Sequence, residues 1–180
     1  MKKAAIILAK GFEEIEALSV VDILRRGDVE VKIVGLEEMM IEGTHGIKVM
    51  ADVIFESVNF NEIDMIILPG GLPGATNLAN SAKLEAKLRQ FDKASKYLAA
   101  ICAAPTVLDK AGVIKSSFTC YPGCESQISA SGYQKDQNVV VDKNIITAKG
   151  PALAMEFSLK LLEILTNKTK ANSVAKGLLA

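Results

Sequence analysis

The most constraining feature of this sequence is an alternation. Short apolar runs of strand length recur, and longer stretches with apolar residues at helical spacing lie between them. "AAIILA" (4–9) precedes "EEIEALSVVDILRR" (13–26), in which Ile15, Leu18, Val20, Val21 and Leu24 fall at helical intervals and which Gly27 ends. The β-branched "VEVKIVG" (29–35) reads as a strand, "IKVMADVIF" (47–55) as one or two strands, and "DMIILPGG" (64–71) as a buried strand running into a turn. "SAKLEAKLRQFDKAS" (81–95) is an amphipathic helix with Ser81 or Asn80 as its cap. A strand (97–101), a helix (103–112) and a hairpin (138–148) turning near Asp142 to Asn144 follow. A helix (151–165) with Pro151 at its first position comes next, then a second short helix after Thr169. Strands alternating with helices predict a doubly wound α/β fold, its mostly parallel sheet covered on both faces. No repeat, low-complexity stretch or linker interrupts the pattern, so one domain is expected over 1–180.

Composition narrows the function classes. Lys plus Arg (21) equals Asp plus Glu (21), so no basic stripe points to nucleic acid and no charge block points to a disordered tail. The apolar run at 4–9 is too short for the core of a signal peptide, and charge follows it at once. No stretch approaches transmembrane length. Three cysteines, Cys102, Cys120 and Cys124, form no disulfide framework, which suits a reducing cytoplasm. Cys120 and Cys124 have the spacing of a metal pair, but one histidine and no second ligand pair leave no metal site to expect.

In a doubly wound fold the binding crevice lies outside the carboxyl ends of the strands. The chemically distinctive residues sit there. Cys102 joins the strand "YLAAI" to the helix that follows, with Ala99, Ala100, Ala103 and Ala104 around it. A nucleophile elbow has this form, a tight turn that exposes a reactive atom above the sheet. A helix N-terminus there favours a thiolate and a lowered pKa. The alternative is a cysteine that merely packs. Gly70 and Gly71, in "LPGGLPGATNL", allow close backbone approach and aim N–H groups at an anion, as half of an oxyanion hole does. An ordinary glycine turn is the alternative, and the spacing is not a dinucleotide fingerprint.

Glu13, Glu14 and Glu16 crowd the first turn of the first helix. Acidic residues favour that position without any function. Glu13 and Glu16 share a face, however, and Glu14 points elsewhere. A carboxyl beside a thiol can be held protonated by burial and by the thiolate's charge, and can then donate to the thiolate or move protons for it. Gly150 and Pro151, at another strand-to-helix junction, are read as shaping the pocket wall.

Taken together, "ILAKGFEEIEAL", "IILPGG" with "GATNL", "AAICAAPTVL" and "KGPALAMEF" resemble the ThiJ/PfpI superfamily, in the branch of Parkinson disease protein seven and bacterial YajL. The resemblance spans almost the whole chain. It implies a flavodoxin-like α/β sandwich, a homodimer, and no cofactor. It makes Cys102 the nucleophile and oxidation-sensitive thiol, Glu16 the carboxyl that contacts it, and Gly71 and Ala103 the residues whose N–H groups face an oxyanion. Many relatives place a histidine shortly after the elbow and just before a proline. Here Tyr121 precedes Pro122. The only histidine, His45, lies where relatives often have an arginine near the dimer interface, so a surface, interface or pocket-edge place is expected rather than catalysis.

Without a Cys–His pair the peptidase reading loses its base. The resemblance then implies a cysteine-dependent, cofactor-independent glyoxalase or deglycase. Its substrates are 2-oxoaldehydes such as methylglyoxal and glyoxal, or their early adducts, and its products are 2-hydroxy acids. The competing reading is a redox-sensing stress chaperone in which Cys102 oxidises and nothing turns over.

Overall fold

The computed structural model describes residues 1–180. Its chain order is β1 (Lys3–Leu8), α1 (Glu14–Arg26), β2 (Glu30–Gly35), β3 (Met40–Glu42), β4 (Lys48–Met50), β5 (Val53–Ile54), β6 (Met65–Leu68), α2 (Gly74–Ala79) and α3 (Ala82–Lys93). β7 (Tyr97–Ile101), α4 (Pro105–Lys110), β8 (Ser117–Phe118), β9 (Gly132–Tyr133), β10 (Val139–Asp142), β11 (Ile145–Ala148), α5 (Ala154–Leu165) and α6 (Lys168–Leu178) complete it. The main sheet has seven strands in the order β10-β11-β7-β6-β1-β2-β5. All its pairings are parallel except β10 with β11. This is the mostly parallel, helix-flanked, flavodoxin-like arrangement.

Period-two alternation puts each central strand into two cores at once. Ala4, Ile6 and Leu8 of β1 face one apolar cluster with Ala17, Val20 and Leu24 of α1 and Phe157, Leu161 and Leu162 of α5. Ala5 and Ile7 face the other, with Leu84, Leu88 and Phe91 of α3 and Val107 and Leu108 of α4. Ser81 is the residue that caps α3, its hydroxyl accepting from the Leu84 N–H at 3.3 Å.

Several local expectations change. The apolar set of α1 divides: Val20, Val21 and Leu24 are buried, whereas Ile15 and Leu18 face solvent. Residues 47–55 form two strands, and Met40–Glu42 adds a third that pairs antiparallel with Lys48–Met50. The stretch expected as helix 151–165 opens with a 3-10 turn over Pro151–Leu153 and becomes α-helical at Ala154. The predicted helix 103–112 is trimmed to Pro105–Lys110, because Cys102 to Ala104 make the turn. The last helix begins at Lys168 and runs for 11 residues, capped by Asn167.

Candidate active site

β7 ends at Ile101, and the next residue turns the chain sharply. Cys102 has φ 65°, in the left-handed region that non-glycine residues rarely enter. Such a backbone costs about 1–3 kcal/mol, and it persists only when its surroundings over-determine it. Here the Cys102 N–H donates to the Ala148 carbonyl at 2.9 Å, and the Tyr121 N–H donates to the Cys102 carbonyl at 2.8 Å. β11 and the 121 segment therefore pin the elbow from both sides. The thiol is half-buried at the carboxyl edge of the sheet.

Glu16 reaches this elbow from the first turn of α1. It is fully buried, and its Oε2 accepts from the Gly70 N–H at 2.7 Å. Its Oε1 has no hydrogen-bond partner. Gly70 is wedged between the two functional groups. A Cβ there would lie 2.6 Å from the Cys102 Cβ and 2.8 Å from Glu16 Oε2, so only glycine lets them approach. Gly71 has φ 87°, and a Cβ on it would stand 2.4 Å from the Glu13 nitrogen. The glycine pair thus docks against the Gly11–Glu13 turn, and the Glu13 N–H donates to the Gly70 carbonyl at 2.9 Å.

Burial pushes the Glu16 carboxyl up to about 7, against the Gly70 N–H and the Cys102 thiol, which favour its charge; Glu13 nearby adds to the rise. Burial, and then the Glu16 carboxylate, push the Cys102 thiol up to about 12. The N–H groups of Gly71 and Ala103 pull the thiol the other way without winning. This corrects the expectation of a thiol lowered by a helix N-terminus. Cys102 stands three residues before α4, a helix of only six residues. Two anions are disfavoured in this pocket, so above about pH 7 the pair holds one proton between its two groups. A thiolate forms when that proton moves to Glu16.

Cys102 opens onto a cavity of about 300 Å³, together with Gly71, Ala103, Glu13, His45 and Tyr121. Glu16 is not exposed there; it lies behind the thiol. Gly150 is buried against the Tyr121 ring, where a Cβ would be 3.2 Å from it. Neither Gly150 nor Pro151 lines the cavity, so this part of the predicted pocket wall is displaced onto Tyr121. Leu72 and Cys124 do line it, and sequence reasoning gave them no role. Both sit in loop or 3-10 segments whose place depends on long-range packing.

Glu14 and His45 make a second polar unit at the rim. Glu14 Oε2 is 2.9 Å from His45 Nδ1, and Oε1 accepts the His45 backbone N–H at 2.7 Å. Burial pushes Glu14 up, but the His45 ring and the surrounding N–H groups together hold it below the usual range. The same carboxylate raises His45. Ligand atoms of Glu13, Glu14 and His45 lie within 4.8 Å of one another, the spacing of a metal-binding group. The Nδ1 position is already taken by Glu14, so an ion pair accounts for the cluster. No helix is long and apolar enough to cross a membrane.

Comparison with known proteins agrees with the fold. Residues 2–164 match the model of the DJ-1/PfpI family. The chain is 39% identical to protein dj-1beta of Drosophila melanogaster, over 99% of this chain and 97% of that protein. It is 36% identical to the glutathione-independent glyoxalase DJR-1.2 of Caenorhabditis elegans, over 98% of this chain and 96% of that one. The crystal structure of Drosophila melanogaster DJ-1beta superposes with a TM-score of 0.96, covering 99% of this chain and 98% of that chain. The chain belongs to the DJ-1/PfpI family.

Proposed function

We propose that this protein is a cysteine-dependent, cofactor-independent glyoxalase. It converts 2-oxoaldehydes, or their early adducts with amines and thiols (the deglycase form of the same chemistry), to 2-hydroxy acids. One observation carries the reading: a half-exposed thiol on a small cavity is backed by a fully buried carboxyl brought near pH 7. That carboxyl takes the thiol proton as the sulfur attacks the aldehyde carbon, so no free thiolate has to persist. The aldehyde oxygen becomes an oxyanion facing the Gly71 and Ala103 N–H groups. Glu16 returns its proton to that oxygen, giving a hemithioacetal. Glu16, now a free carboxylate, carries hydrogen from the aldehyde carbon to its neighbour through an enediol and takes up the proton of the aldehyde-derived hydroxyl, giving a thioester of a 2-hydroxy acid. Water then hydrolyses the thioester, releasing the acid and restoring the thiol. The relative from Caenorhabditis elegans that carries the glyoxalase name supports the same class.

A second reading rests on the same thiol. With peroxide as oxidant, Cys102 gains two oxygens from two peroxide molecules and releases two waters. The sulfinate then accepts from Gly71 and Ala103, and a protonated Glu16 donates to it. This gives a redox-sensing chaperone. Lactate formation from methylglyoxal, measured beside protection of a heat-aggregating client, separates the two. The expected result is turnover in the wild type and a loss of about a thousandfold or more in Cys102→Ser. Client protection without lactate would select the redox reading.

We also propose that the protein pairs as a homodimer through the exposed Ile15 and Leu18 of α1 and the neighbouring Ile47 and Met50. Light scattering should give about twice the 19.2 kDa of the chain; a monomer at micromolar concentration would refute this. The three free cysteines suit a reducing compartment, proposed to be the cytoplasm.

A further inference from the structure

The glyoxalase chemistry, on which this inference rests, needs proton carriers in two places. One serves the sulfur and the carbon and oxygen of the aldehyde bonded to it. The other serves the far carbonyl oxygen, which must gain a proton as the enediol forms, and later the water that hydrolyses the thioester. Glu16 fits the first place only. It is fully buried behind Cys102 and does not line the cavity. A substrate held on the sulfur presents its far carbonyl to the cavity, and water enters from the same side.

His45 does line that cavity, and it is the only histidine in the chain. It is also held in a fixed attitude. Glu14, 4% exposed, grips the backbone N–H of His45 through Oε1 and its ring Nδ1 through Oε2. The grip depends on Gly43, where a Cβ would lie 2.4 Å from Glu14 Oε1. A buried carboxylate on Nδ1 fixes the tautomer and ring orientation and leaves Nε2 free. Within the single chain 68% of the side chain is exposed, and the ring borders the cavity. This is the arrangement of a general acid–base histidine and its orienting carboxylate, assembled from α1 and the loop between β3 and β4.

We propose that His45 is a second catalytic residue, a general acid–base that serves the substrate's far oxygen and the hydrolytic water, with Glu14 as its positioning residue. In the first step the His45 Nε2–H proton passes to the ketone oxygen as the Glu16 carboxylate, emptied when it protonated the hemithioacetal oxygen, takes the hydrogen from the aldehyde carbon. Glu16 then gives that proton to the neighbouring carbon and receives the one released by the aldehyde-derived oxygen as the thioester forms. In the last step neutral His45 takes a proton from water as its oxygen bonds to the thioester carbon. The C–S bond breaks, and the sulfur leaves with the proton held in its pair with Glu16. His45 ends protonated, as it began, and no outside oxidant or reductant is needed.

The test uses methylglyoxal turnover, the alkylation rate of Cys102 by iodoacetamide, and added imidazole. His45→Ala should lose about a hundredfold in kcat, the scale of a lost acid–base group. Its Cys102 should still alkylate within about twofold of wild type, because the thiol depends on Glu16. Imidazole, which can enter at the exposed ring position, should restore about tenfold or more of the lost rate. Glu14→Gln should lose about tenfold, as for a residue that orients a histidine. Wild-type turnover with unchanged kcat in His45→Ala overturns this inference and leaves the glyoxalase reading standing. So does a loss that imidazole fails to restore, accompanied by slowed alkylation, since that marks a structural role. Absence of lactate from the wild type overturns the glyoxalase reading itself, and the role of His45 falls with it.

Discussion

Cys102 and Cys120 are two thiols pushed to the same place for partly different reasons. Burial drives each up to about 12. In Cys102 the second cause is the Glu16 carboxylate; in Cys120 it is Cys124, then Glu125. Cys120 is fully buried in the apolar cluster beneath α3 and α4. Cys102 is half-exposed, stands on a strained elbow, faces two N–H groups and touches a carboxyl near pH 7. The lesson is that a raised pKa alone does not mark an inert cysteine. What separates a nucleophile from a packing residue is a proton acceptor that titrates where the reaction runs, and a path for the substrate.

Glu16→Gln probes that difference most strongly. An unfolded Glu16 titrates at its ordinary 4.5 and the folded one at about 7. A raised carboxyl stabilises the fold fully below pH 4.5, and that contribution is lost as pH climbs through 7. At 1.36 kcal/mol per pKa unit, the change amounts to about 3 kcal/mol. Urea melts of wild type and variant between pH 4.5 and 8 should show the wild type losing about that much relative to Glu16→Gln. Parallel curves would mean that Glu16 is not desolvated.

Gly70→Ala and Cys120→Ser divide the two thiols further. The alanine Cβ must push apart Cys102 and Glu16, an overpacking that costs about 1–3 kcal/mol and should abolish most turnover. The serine leaves a buried hydroxyl in an apolar pocket, at a cost of about 1 kcal/mol, with turnover within about twofold of wild type. Thermal melts paired with lactate assays read both. Equal loss of activity in the two variants would erase the distinction.

Much of this contrast was legible in the chain. The strand and helix periods placed β1, β2, β6, β7, α1, α3 and α5, and the junction at Cys102 announced an elbow because small residues flank it. The burial of Glu16 was legible as a possibility, since Glu13 and Glu16 share a helix face. Other features carried no local signal. β3, β8 and β9 have two or three residues each, too short for a period of two to register. α2 opens with Gly74 and lies among glycine, proline and asparagine, which helix propensity disfavours. Helical spacing marked Ile15 and Leu18 as apolar but could not say which side of α1 meets the core. The Glu14–His45 contact spans 31 positions, and only the folding of the β3–β4 hairpin against α1 creates it.

The central claim is that Cys102 and Glu16 share one proton. The direct measurement is the rate of Cys102 alkylation by iodoacetamide against pH, in wild type and Glu16→Gln, with Cys120 followed by mass spectrometry in the same samples. In the wild type the rate should rise to a plateau above about pH 7, where the pair loses its first proton, and climb again only toward 12. The variant should lack the inflection near 7 and show a single thiol titration below 12, because the repelling carboxylate is gone. Cys120 should stay slow throughout. Identical pH profiles for wild type and Glu16→Gln, or a Cys120 that keeps pace with Cys102, would contradict the shared proton.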